Sequence, residues 1–184
     1  MFTIKIIVLV LATAGIATVS RASLLKPRSH GFYRFFAWET IIVLVVVNLH
    51  MWFRDPLSWY QVISWALLTG CLFPVILGIR LLKRVGRPDA QRDDTPMVGL
   101  EKTTELVTVG IYRYIRHPLY SSLLMLAWGV FFKRPSWVGG LLALVLVVFL
   151  VATAKVEEGE NMRYYGSEYE VYMQRTKMFI PFVF

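Results

Sequence analysis

The sequence predicts an all-α integral membrane protein with about five transmembrane helices. Of its 184 residues, 57% are hydrophobic and only 17% are charged, whereas soluble domains run at about a quarter charged and nearer half apolar. The apolar residues are collected into long runs, at 4–20, 36–53, 59–79, 119–132 and 137–154. The stretches between them alternate between basic-rich and basic-poor.

A membrane span needs about 20 apolar residues, within a range of roughly 17 to 25. Runs one, two, three and five meet that length. Lys5 and small late residues give the first run some likeness to a signal peptide. Its apolar core is long for one and a full span follows, so an uncleaved helix is expected. The fourth run is short: about 14 residues at 1.5 Å give roughly 21 Å against a hydrocarbon core of about 30 Å. Only Lys133-Arg134-Pro135-Ser136 separates it from the fifth, so these two form a hairpin; it is either re-entrant or, as preferred here, has the fourth run as a thin span with Lys133 and Arg134 snorkelling. The chain then reads as one unit: three N-terminal spans over 1–80, a loop at 81–118, the hairpin at 119–154 and a tail at 155–184.

Sixteen of the twenty Lys and Arg residues fall on one side of this topology, in 21–34, 80–118 and the tail. The other side holds Lys5, Arg54, Lys133 and Arg134. The positive-inside rule therefore puts the long loop, the tail and any site they form in the cytoplasm. The net charge of +8 follows from that topology and suits anionic membrane lipids; nothing in the pattern offers a groove for nucleic acid. The single cysteine, Cys71, is a mid-helix filler, with no disulfide or metal cluster to join.

Residues 86–104 are polar and broken by two prolines, which excludes a long helix and suggests a functional loop. The fifth helix is expected to run past the membrane to Gly166, a natural stop. Ser167 and Glu170 have capping-box spacing for a further short helix. Ile180-Pro181-Phe182 is expected as an extended apolar tail.

The chemistry concentrates in Gly110-Ile111-Tyr112-Arg113-Tyr114-Ile115-Arg116-His117-Pro118-Leu119-Tyr120. Pro118 suits the first turn of the fourth helix, which puts His117 at its cap and Tyr120 one turn in. A lone tyrosine there would be an interfacial anchor, but His, two Arg and three Tyr together look like equipment for holding a charged ligand. Glu157 and Glu158 lie at the cytoplasmic end of the facing helix. Asn161 and Tyr164 follow Glu157 at steps of four and seven, giving a polar stripe on one face.

With Glu157-Glu158, Tyr165-Gly166-Ser167-Glu168-Tyr169 and a closing Pro181-Phe182, this run resembles the isoprenylcysteine carboxyl methyltransferase family. The resemblance covers roughly 104–184. Phospholipid methyltransferases share much of the motif set, and membrane sterol reductases have a related C-terminal half. The resemblance implies S-adenosylmethionine bound on the cytoplasmic side. Thr104, Glu105, Leu106 and Val107 would line the nucleoside pocket. Tyr112, His117, Pro118, Leu119 and Tyr120 would surround the methionine and sulfonium, with Glu157 and Glu158 at a cofactor hydroxyl or amine. It also implies a lipophilic or prenylated acceptor entering from the bilayer. One departure stands out: where eukaryotic members carry an arginine about one turn before the Glu pair, this chain has Thr153. The role of orienting the acceptor is then open to Arg113, Arg116, Lys155 or Arg163, with Arg113, Arg116 and His117 as the catalytic candidates.

Methylating a carboxylate needs no strong base, because the acceptor is already ionised at neutral pH; alignment in a dry site does most of the work. An amine acceptor would need its proton removed, by His117 or Glu158. The alternatives are a phospholipid-amine N-methyltransferase, a nicotinamide-dependent reductase, and a non-enzymatic membrane scaffold.

Overall fold

A computed structural model describes residues 2–89, 91–92 and 99–184. Residues 93–98, within the expected functional loop, lie outside the described set. Seven α-helices occur among the described residues: α1 Phe2–Leu24, α2 His30–Asn48, α3 Trp59–Gly70, α4 Leu72–Arg84, α5 Pro118–Phe131, α6 Trp137–Tyr165 and α7 Ser167–Arg175. The β structure described consists of isolated bridges, Pro88 with Thr103 and Ile115 with Lys177. Four helical segments are long and apolar enough to cross a membrane: Phe2–Leu24, His30–Met51, Trp59–Arg84 and Trp137–Tyr165. Helix α5, at 14 residues, falls below that length, as its sequence predicts.

The third apolar run is two helices rather than one. Pro74 has no N–H to give to a carbonyl four residues back and its ring crowds that carbonyl, so the ladder breaks at Cys71, between α3 and α4. The cysteine is buried, with its thiol turned to the Leu68 carbonyl at 3.0 Å.

Helix α6 is central. Helix α2 packs along one side of it and α5 along another; α1 lies on α2, while α3 and α4 lie on α5. The core between them joins Ala37 and Leu44 of α2, Ala127 and Val130 of α5, and Leu146 and Leu150 of α6. Small residues let the helices close up: Ser64 of α3 donates to the Gly129 carbonyl of α5 at 2.7 Å. Most large side chains of α1 point outward, including Ile4, Val10 and Leu11. That is the surface of a helix whose solvent is lipid.

Three local expectations change. The second helix begins at His30 rather than near Phe36, so Arg34 lies inside it, 3% exposed, instead of in a basic loop. The Ser167 capping box does not form; Gly166, with φ +62°, both ends α6 and precedes α7, and no side chain caps α7. The terminal tail curls back instead of extending, with backbone bonds between Ile180 and Phe184 in both directions. Phe182, at φ 66°, makes the turn.

Candidate active site

The site begins with the turn that starts α5. Gly110 has φ +60°, a left-handed conformation that favours glycine, and a Cβ there would press on the tip of the Leu81 side chain, 2.7 Å away. The chain then makes a short 3-10 turn, Gly110–Arg113, and enters α5 with His117 as N-cap and Pro118 in the first turn. Backbone bonds from Arg116 and His117 to the Lys177 and Met178 carbonyls, and from Lys177 to Tyr114, clamp this segment to the C-terminal tail. The Tyr172 hydroxyl, from α7, donates to the Tyr112 carbonyl at 2.7 Å.

Helix α6 brings its carboxylates to the same point. Tyr120 Oη donates to Glu157 Oε2 at 2.5 Å. His117 lies between the two acids, with Nδ1 3.7 Å from Glu157 and Nε2 3.3 Å from Glu158. Its ring stacks on Tyr120 at 5.3 Å and 15°. Arg116 Nε pairs with Glu158 Oε1 at 2.6 Å, both side chains under a tenth exposed, and its Nη1 donates to the Thr176 and Met173 carbonyls. Its guanidinium is therefore committed to holding the tail. Glu157 is the more open acid, at 22% exposure.

Arg116, His117, Tyr120 and Glu157 line a cavity that also touches Glu101, Thr103, Leu106, Val107, Asn161 and Tyr165. It is narrow, about 80 Å³ against roughly 300–1,000 Å³ for small-molecule sites. One wall of it is formed by Glu101, Thr103, Leu106 and Val107. Two polar latches fix that wall. Glu101 bonds Arg34 and lies 3.4 Å from His30 Nε2, and His30 in turn bonds Glu160. Thr103 offers its carbonyl to Tyr165 Oη at 2.7 Å and to Arg92; the Arg92 guanidinium lies 3.6 Å over the Tyr164 ring. Burial alone would push the Glu101 carboxyl up, but the Arg34 guanidinium and His30 outweigh it and hold it at about 2. Burial and the neighbouring Glu157 carboxylate push the Tyr112 phenol well up, so it stays neutral.

Tyr112, Arg116, His117, Pro118, Leu119, Tyr120 and Glu157 thus meet at one cavity, with Leu106 and Val107 in its wall. Glu158 stands behind it, under His117 and Arg116. Thr104 and Glu105 face away: Thr104 donates to the Arg87 carbonyl, and Glu105 forms an exposed pair with Arg87. Arg113 lines a separate apolar cavity of about 620 Å³ with Phe73, Leu77, Met125 and Pro181. Lys155 is exposed, as is Arg163. Thr153 is buried and donates to the Phe149 carbonyl at 2.7 Å, within its own helix. Of the expected α6 stripe, Asn161 reaches the cavity, but Tyr165 does so in place of Tyr164. His30, Arg34, Glu101 and Glu160 are additions. A His and an Arg four apart at the start of an apolar helix share one face, and that spacing was the available signal.

The phospholipid methyltransferase family model matches residues 89–168. A probable protein-S-isoprenylcysteine O-methyltransferase of Oryza sativa subsp. indica is 33% identical over 117 residues, 61% of this chain and 60% of that protein. The protein-S-isoprenylcysteine O-methyltransferase of Schizosaccharomyces pombe is 35% identical over 79 residues, 42% of this chain and 34% of that protein. Methanethiol S-methyltransferase 1 of Bradyrhizobium diazoefficiens is 31% identical over 88 residues, 46% of this chain and 30% of that protein. The chain spans less than two thirds of the length of each of these relatives. No solved structure matches. The matched region runs from the loop before α5 through the α5–α6 hairpin to the start of α7, and it contains His117, Tyr120, Glu157 and Glu158. Over that part of its length the chain is also similar to protein-S-isoprenylcysteine O-methyltransferases.

Proposed function

We propose that the chain acts as a single membrane domain that transfers a methyl group from S-adenosylmethionine to the carboxylate of a prenylated cysteine. In this reading α5 is a fifth, thin span, the site faces the cytoplasm, and the acceptor enters from the bilayer. The observation that carries it is the Tyr120–Glu157–His117 cluster at the head of the α5–α6 hairpin.

The donor set fits the cofactor. Stacked ring faces favour a sulfonium, and the part-exposed Glu157 carboxylate favours an ammonium or a ribose hydroxyl. The bound cofactor supplies a methyl already activated by its positive charge. Glu157, Tyr120 and His117 then orient it, Leu106 and Val107 line its nucleoside, and Glu158 fixes the His117 ring from behind. The acceptor carboxylate needs no base. Arg113, exposed and set beside the large apolar cavity, is the cation suited to orient it while the prenyl chain lies against Phe73 and Met125.

A thiol acceptor is the second reading. It is favoured by Thr153, whose hydroxyl is turned into its own helix where a carboxylate-binding arginine would be expected, and by the methanethiol relatives. The deciding assay measures methyl transfer to a prenylcysteine, to methanethiol and to an ethanolamine phospholipid side by side. Turnover of the prenylcysteine alone supports the first reading. Turnover of methanethiol or of the phospholipid in its place overturns it.

A further inference from the structure

The far end of the α5–α6 hairpin, about 20 Å from the candidate active site along a 14-residue helix, carries a second polar cluster. Lys133 is 1% exposed, with no carboxylate in ion-pair range among the described residues. Its ammonium lies 3.1 Å from Gln61 Oε1 and 3.5 Å from the Trp52 carbonyl. It also lies 3.4 Å from the centre of the Trp65 ring and 5.3 Å from that of Trp52. A buried ammonium without a counter-charge is costly, and burial here pulls the Lys133 pKa down. The Trp52 indole N–H of the same cage is buried with no acceptor. Donors outnumber acceptors in this corner.

Lys133 opens on a cavity of about 340 Å³ shared with Arg54, Asp55, Tyr60, Gln61 and Arg134. Asp55 is the carboxylate there, 3.8 Å from Arg54 with both side chains about two-thirds exposed, so it offsets little of the charge. Lys5 reaches the same end, with Nζ 3.0 Å from the Val47 carbonyl and 3.4 Å from His50. His50 feels the positive charge of Lys5, Arg134 and Arg54 together. The four basic residues on the basic-poor side of the chain thus converge. Exposed Trp59 and Trp137 ring this end, the aromatic signature of a membrane–water interface.

We propose that this pocket binds the phosphate of a phospholipid headgroup from the leaflet opposite the candidate active site. Arg54 and Arg134 grip the phosphate oxygens, Lys133 supplies the buried counter-charge, and the acyl chains lie along the apolar faces beside Trp59 and Trp137.

The test uses the intact protein, a double variant Arg54→Gln/Arg134→Gln, and a charge-matched control, Arg80→Gln/Arg84→Gln. Binding of phosphatidylglycerol is titrated by native mass spectrometry, and thermal stability is compared in inorganic phosphate and in chloride at equal ionic strength. The expected result is phosphatidylglycerol binding about 30-fold weaker in the double variant, the scale of two basic residues at an anionic lipid surface, with the control near wild type. An added phosphate-dependent stabilisation confined to proteins with the pocket intact also supports it. A phosphate effect without a lipid difference identifies a soluble anion and overturns the lipid assignment. Equal binding by wild type and double variant, or an equal loss in the control, overturns the pocket itself.

Discussion

Tyr120 donates its phenol to Glu157 at 2.5 Å, one residue from α5 and one from α6, so the two arms of the hairpin meet in a hydrogen bond at the mouth of the candidate cofactor site. The bond ties the Glu157 carboxylate in place beside the His117 ring. It takes one lone pair of Oε2, and the carboxylate's other acceptor sites are left for a ligand ammonium or hydroxyl.

Removing the acid and removing the phenol therefore have different consequences. Glu157→Ala is expected to weaken S-adenosylmethionine binding by at least about tenfold, the scale of one charge-assisted hydrogen bond. Tyr120→Phe keeps the stacked ring and the Glu157 side chain, so its loss is expected to be smaller, and Tyr120→Ala larger. Calorimetric titration of the three variants checks the order; binding unchanged in Glu157→Ala and Tyr120→Ala would remove the site.

Arg116 and Arg113 are expected to separate stability from activity. Arg116 is buried against Glu158 and holds the tail carbonyls, so Arg116→Ala strands a buried carboxylate and costs about 3–5 kcal/mol. Arg113→Ala touches no such pair and is expected to lie within about 0.5 kcal/mol of wild type while acceptor turnover falls. Thermal unfolding and turnover measured on both variants test this.

The Glu101 latch predicts a pH dependence with a definite sign. Its folded pKa, about 2, lies below the ordinary 4.5, so the ionised form is the one that stabilises the fold. That contribution is fully present above about pH 4.5 and is lost as pH falls toward 2. Glu101→Gln is therefore expected to be less stable than wild type at pH 6, with the gap closing between pH 4.5 and 2. Melting temperatures of both proteins across that range are the measurement.

Gly129 sets the contact of α5 with α3. A Cβ there would lie 2.9 Å from the Leu68 side chain and 3.2 Å from its backbone nitrogen, so Gly129→Ala forces the helices apart. The expected cost is about 1–3 kcal/mol, read as a lower melting temperature. Gly15→Ala, with nothing near it on α1, is expected to show no such loss.

The apolar runs, the short fourth helix and the His117-Pro118 entry to α5 were legible in the sequence because each depends on neighbours within a turn or two. So was the meeting of His117, Tyr120 and Glu157, because a hairpin this short forces its open ends together. The start of α2 is not legible in the sequence, because His30 and Arg34 look like loop charges until their partners are known. Arg34 finds Glu101 and His30 finds Glu160, at separations of 67 and 130 residues. The capping box at Ser167 failed because Gly166 already turns the chain at φ +62°, leaving no geometry for the serine to cap.

By itself the sequence determined which segments are apolar enough to cross a bilayer, how the basic residues divide among the stretches between them, and which short run gathers His117, Tyr120 and two arginines. Hydrophobic length, charge and proline act locally, and so they can be read from order alone. Only the tertiary structure decided which arginine is spent on structure and which faces an apolar cavity. It alone also set Thr104 and Glu105 outside the wall that Thr103, Leu106 and Val107 help to form, and gathered Arg54, Lys133 and Arg134 at the far end. Those outcomes depend on the packing of α2, α5 and α6 and on pairings across most of the chain, which no local pattern encodes.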